Sequence, residues 1–116
     1  MAQKRILFTI NHAPFGSIHY TEGLRAAVGA TSGVDEHQVD VVYLGDGVYF
    51  ALQKVDRKDS AKYIETLAQS GCRFKAERES LEARGNGREE LASDIAVISR
   101  DAVRALVAQA DFTADF

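Results

Sequence analysis

Four short runs, ILFTI (6–10), VDVVYL (39–44), CRFKA (72–76) and IAVI (95–98), punctuate this chain, and between them apolar residues recur at helical spacing. ILFTI and VDVVYL are too short for helices and apolar almost throughout, the pattern of strands buried on both faces. Tyr20, Leu24, Ala27 and Val28 stand at i, i+4, i+7 and i+8 and predict an amphipathic helix ending in Thr31-Ser32-Gly33. Val48 to Leu52 predict one or two helical turns after the tight turn Gly45-Asp46-Gly47. Ala61, Ile64, Leu67 and Ala68 form another helical stripe that stops at Gly71. Glu77 to Arg84 carries good helix formers up to Gly85, and NGREELAS (86–93) reads as polar and mobile. Ser99 is placed to cap a last helix with Asp101 in its first turn and Val103, Leu106 and Val107 as its buried stripe, and DFTADF closes the chain as a fifth strand.

Strands alternating with helices every ~25 residues imply a parallel sheet covered on both faces, a small doubly wound α/β domain. The 116 residues, 46% hydrophobic and 27% charged, suffice for one core, so residues 1–116 are expected to form a single domain. A net charge of −3 leaves no surplus of Lys and Arg to neutralise a run of phosphates, which argues against direct nucleic-acid binding. One cysteine excludes an internal disulfide. The opening MAQKRILFTINHAP reaches Pro14 too early for a secretory signal, and no apolar run approaches the ~20 residues that cross a bilayer, so the expected setting is cytoplasmic, away from membranes.

Ligands of such folds bind beyond the carboxyl ends of the strands, which directs attention to the loops 11–17, 45–48, 77–80 and 99–101. Candidate pocket residues there are His12, Pro14, Gly16, His19, Asp46 and Glu77. Cys72 would lie about five residues, or ~16 Å, from Glu77 at the opposite end of its strand. It reads as a small buried hydrophobe, with a reactive thiol as the alternative. His12, His19 and Glu77 could meet in a metal site, but no HxH or HExxH spacing supports one, and no metal or cofactor is called for. The loop after ILFTI lacks GxGxxG and GxxxxGK[ST] patterns and has only Ser17 and Thr21 for a phosphate, which disfavours nucleotide and flavin. Tyr49 and Phe50 are both interface candidates: two adjacent aromatics cannot both face the core from one helical turn, so at least one is expected to be exposed or buried against another subunit.

The segment AP-x-G-x5-EGL (Ala13, Pro14, Gly16, Glu22, Gly23, Leu24), followed by V-x-YLGDGVYFAL and the ending ADFTADF, resembles the DsrE/DsrF-like sulfur-relay family, and within it the TusC/DsrF type. The resemblance implies a flavodoxin-like three-layer α/β sandwich with a mostly parallel five-stranded sheet. It also implies a homo- or hetero-oligomer, possibly a hexamer, with sulfur-relay subunits or a persulfide-carrying protein as partners. Active members of the family carry persulfide on a cysteine that follows the third strand. On the pattern Gly71-Cys72-Arg73-Phe74-Lys75-Ala76-Glu77, with Ser80-Leu81 and Arg84-Gly85 beyond it, Glu77 stands at that position, and a carboxylate cannot hold a persulfide.

The expectation is therefore a non-catalytic accessory subunit in intracellular sulfur trafficking, serving tRNA thiolation or sulfur oxidation. The alternatives are a sulfurtransferase using Cys72, or a small-ligand protein using the pocket around His12 and Glu77.

Overall fold

The computed structural model describes residues 4–12, 19–31, 37–52, 61–87, 91–92 and 95–116, with the backbone alone for 19–21. In chain order the elements are β1 (Arg5–Ile10), α1 (His19–Thr31), β2 (Gln38–Tyr43), a 3₁₀ helix (Gly45–Ala51), α2 (Ala61–Gln69), β3 (Arg73–Glu77), α3 (Arg78–Ala83), β4 (Ile95–Ile98), α4 (Arg100–Gln109) and β5 (Phe112–Asp115). The strands form one sheet in the order β4-β3-β2-β1-β5. Every neighbouring pair is parallel, with Ile6 opposite Val39 and Phe112, Val41 opposite Phe74, and Phe74 opposite Ile95.

This order and the right-handedness of parallel crossovers distribute the helices between the two faces. Three connections, β1 to β2 to β3 to β4, step in one direction across the sheet and so lie on one face; β4 to β5 returns across the whole sheet and lies on the other. The packing follows. On the first face Phe8, Ile10, Val39, Val41, Tyr43 and Phe74 pack with residues of α1, α2, α3 and the 3₁₀ helix in one core cluster. On the second face the buried apolar cluster among the described residues is smaller, Leu7 and Val42 of the sheet with Val103 of α4. Completely burying an aliphatic side chain contributes about 1.5–3 kcal/mol, so most of the stability resides on the first face.

Two glycines hold local geometry that other residues cannot. The 3₁₀ helix sits against the end of β1 so closely that a Cβ on Gly47 would lie 1.8 Å from the Ile10 carbonyl oxygen. Gly71, at φ +85°, turns the chain out of α2, and the next amide, Cys72 N–H, donates to Leu67 O at 3.0 Å.

Several expectations need correction. Phe50 is 5% exposed and belongs to the core of this chain, so of the Tyr49-Phe50 pair only Tyr49 retains accessible surface; three residues per turn rotate the two rings 120° apart, turning Phe50 inward. Val107 is 47% exposed, because Val103, Leu106 and Ala110 take the side of α4 that meets the sheet. Ala68 is exposed, and Tyr63, Ile64 and Leu67 supply the inward side of α2. The stretch 86–93 is not wholly solvated. Leu91 bridges Leu52, Ala92 N–H donates to Ala51 O at 2.8 Å, and both side chains are buried. Among the described residues no helix is long and apolar enough to cross a membrane.

Candidate functional site at the carboxyl edge of the sheet

In an open α/β sheet the ligand crevice lies where adjacent strands send their connections to opposite faces. Here β3 and β4 are those strands, since α3 leaves toward the first face and α4 toward the second. The side chains at the carboxyl ends of β3 and β4 therefore define the candidate site, and they are Glu77 and the Ser99-Arg100 pair.

Glu77 ends β3 and serves as the N-cap residue of α3, although its side chain bonds no backbone amide of that helix. Its carboxylate turns instead to three donors. Ser80 Oγ donates to Oε1, Arg100 Nη2 donates to Oε1 at 3.1 Å, and Arg100 Nε donates to Oε2 at 3.4 Å. The Glu77 side chain is 7% exposed and that of Arg100 50%, so a buried carboxylate carries a cation facing solvent. Ser80, itself buried, also accepts the Gly45 N–H at 3.0 Å, which commits its hydroxyl proton to Glu77. Arg84 completes the network by donating from Nε and Nη2 to Asp46 Oδ1 at 3.0 and 2.9 Å and from Nη1 to Ser80 O at 3.1 Å.

Glu79 fixes the base of the arginine, its Oε1 accepting the Arg100 backbone N–H at 2.9 Å. Partial desolvation pushes the Glu79 pKa up, but the amides of Arg100 and Glu79 and the charges of Arg78 and Arg100 outweigh it and hold the carboxyl below its ordinary value. The Arg100 pKa is raised by its hydrogen bonds to Glu77 and by that charge. The α4 start is capped by Ser99 Oγ, which accepts Ala102 N–H at 3.1 Å.

The remaining candidates fall elsewhere. His12 is exposed just past the end of β1; Pro14, Gly16 and the side chain of His19 lie outside the described residues. Asp46 is exposed and held by Arg84. Cys72 precedes β3 at the amino edge of the sheet, on a polar cleft of 540 Å³ whose walls include His37, Gln38, Gln69 and Ser70. Burial, and then the negative charge of Asp40, push its thiol up to about 12, so it is neutral and a poor nucleophile at physiological pH. Among the described residues no three His, Cys, Asp or Glu side chains converge on a metal position.

Sequence reasoning missed Arg100 and Arg84. The signal for Arg100 was present: it follows the capping serine in the loop after β4, one strand from Glu77. Arg84 stood out only as part of the Arg84-Gly85 helix ending, and nothing local pointed to its partner Asp46, 38 residues away.

A sequence profile of the DsrE/DsrF-like family matches residues 4–113. The chain belongs to the DsrE/DsrF-like family. Solved structures agree on the fold of this DsrE/DsrF-like chain. The YchN protein from E. coli superposes with a TM-score of 0.82 at 19% identity, over 99% of this chain and 100% of that one. MTH1491 from Methanobacterium thermoautotrophicum, described as a protein of unknown function, gives 0.78 at 17% identity, over 98% and 100%. BT1422 from Bacteroides thetaiotaomicron, described as a conserved protein of unknown function, gives 0.64 at 14% identity, over 96% and 94%. No curated protein matches the sequence.

Proposed function

We propose that this DsrE/DsrF-like chain is a non-catalytic accessory subunit of a cytoplasmic sulfur-relay complex, lacking the acceptor cysteine of active members and resembling the TusC/DsrF type. It positions a partner that carries the persulfide, in a homo- or hetero-oligomer in which Tyr49 contributes contact area. One observation carries this reading: β3 ends at the mouth of the crevice in a carboxylate held by Arg100 and Ser80, while the chain's one thiol lies before the opposite end of that strand. Persulfide transfer needs an accessible thiolate. Cys72 is buried and protonated, and Glu77 has no sulfur.

The test is intact-mass spectrometry after incubation with a cysteine desulfurase, cysteine and a persulfide donor protein, with Cys72→Ser alongside. The expected result is no added sulfur on either protein. A gain of one sulfur on the wild type alone would make Cys72 the carrier and end the accessory reading.

A further inference from the structure

Glu77 has the bonding of a bound ligand. Its carboxylate is enclosed, yet it accepts no backbone amide of the helix it caps; its oxygens are taken by a guanidinium fork from α4 and the Ser80 hydroxyl of α3. Planar two-nitrogen recognition with an added hydroxyl is how proteins bind a small anion in trans. The residues that carry the donors are also anchored independently of Glu77. The Ser80 hydroxyl is oriented by the Gly45 amide, and the Arg100 backbone by Glu79. The two other acids beside the network are occupied, Asp46 by Arg84 and Glu79 by the Arg100 backbone N–H and Arg78. The site lies in the crevice between β3 and β4 that sheet topology reserves for ligands.

We propose that Arg100 and Ser80 form a socket for one small monoanion, that Glu77 fills it from within the chain, and that removing this carboxylate opens the socket to an external carboxylate or thiolate. With Glu77 gone, the guanidinium of Arg100 loses the carboxylate it hydrogen-bonds, while Glu79 stays engaged with the Arg100 backbone N–H and with Arg78; half of the Arg100 side chain already faces solvent, which gives an incoming anion its path. The socket depends on geometry alone, so it stands or falls separately from the accessory role: sulfur on wild-type Cys72 would end that reading and leave the socket untouched.

The test has two arms. In Glu77→Ala, acetate is compared with chloride at matched ionic strength by thermal melting. A saturable upward shift in Tm with acetate is expected, absent from the wild type and from Glu77→Ala/Arg100→Gln. Refolding by acetate of a variant unfolded in chloride counts equally in favour. Acetate indistinguishable from chloride, or a shift that persists without Arg100, overturns the proposal.

The second arm places a thiol in the socket, Glu77→Cys with Cys72→Ser, and follows alkylation rate against pH. The thiol should ionise at least about one pH unit below the ordinary ~8.5, a tenfold gain in thiolate at a given lower pH, and Arg100→Gln should abolish the difference. An ordinary or raised thiol pKa overturns the proposal even if the first arm is lost to misfolding.

Discussion

Arg100 meets Glu77 through two nitrogens, Nη2 to Oε1 at 3.1 Å and Nε to Oε2 at 3.4 Å, and so ties the end of β3 to the start of α4. At this point α3 and α4 leave for opposite faces of the sheet, and no backbone ladder joins β3 and β4 beyond Glu77 opposite Ile98. The pair and its hydroxyl neighbour close the gap that the topology opens.

Ser80→Ala should show how much of that closure depends on the hydroxyl. It removes the donor to Glu77 and the acceptor for the Gly45 amide at a position that is 4% exposed. Leaving such groups unmatched costs about 1–3 kcal/mol. Denaturant melts should show that loss in the midpoint with an unchanged slope; a loss within error would mean that water replaces the hydroxyl.

Acid should weaken the same corner. The Glu79 pKa is lowered in the folded chain, so the folded protein binds fewer protons than the unfolded one as pH drops through the ordinary carboxylate range. The stability involved is complete above the unfolded pKa and disappears as pH falls through the folded one. Glu79→Gln should flatten the acid limb of the stability curve, measured by chemical melts at stepped pH.

Cys72 predicts the opposite limb. Its thiol is raised from 9.0 to about 12 by burial and by Asp40. Folding therefore favours the protonated form, and its contribution is fully present below 9.0 and is lost as pH rises toward 12. Native protein at pH 8 should alkylate roughly a thousandfold more slowly than an unfolded thiol, from the difference in thiolate fraction. Wild-type rates with iodoacetamide, with and without denaturant, check this directly.

Two glycine substitutions should have opposite signs. Gly47→Ala drives a methyl into the Ile10 carbonyl at 1.8 Å and should cost about 3 kcal/mol or more, or prevent folding. Gly29→Ala lies on the exposed side of α1 with no atom within 4 Å of the new Cβ, and should stabilise by about 0.4–1 kcal/mol. Thermal melts of the two variants suffice.

The strands and helices were legible because the signals that specify them are local. ILFTI, IAVI and the capping Ser99 are patterns within a few residues, and each element occurs where they predict it. The all-parallel sheet follows from their alternation. What the sequence hid is set by pairing across distance. Val107 and Leu106 are adjacent aliphatics in one helix, and only the path of α4 over Leu7 and Val42 decides which is buried. Leu91 and Ala92 lie in a polar stretch and gain their burial from Leu52 and Ala51. At the site, Glu77 was visible through its place at a strand end, but its bond to Arg100 spans 23 residues and has no local pattern.

The sheet order also sets a sequence in time. β1 is made first and lies inside the sheet, yet one of its two edges stays open until β5 arrives, and Thr9 bonds to Asp115 across 106 positions. Closing so long a loop costs more entropy than any other pairing in the sheet unless the intervening strands are already in place, so this seam is expected to form late in folding. Damage confined to β5 should therefore quicken the opening of the finished molecule while scarcely slowing its assembly, leaving β1 with a bare flank on which another strand could settle.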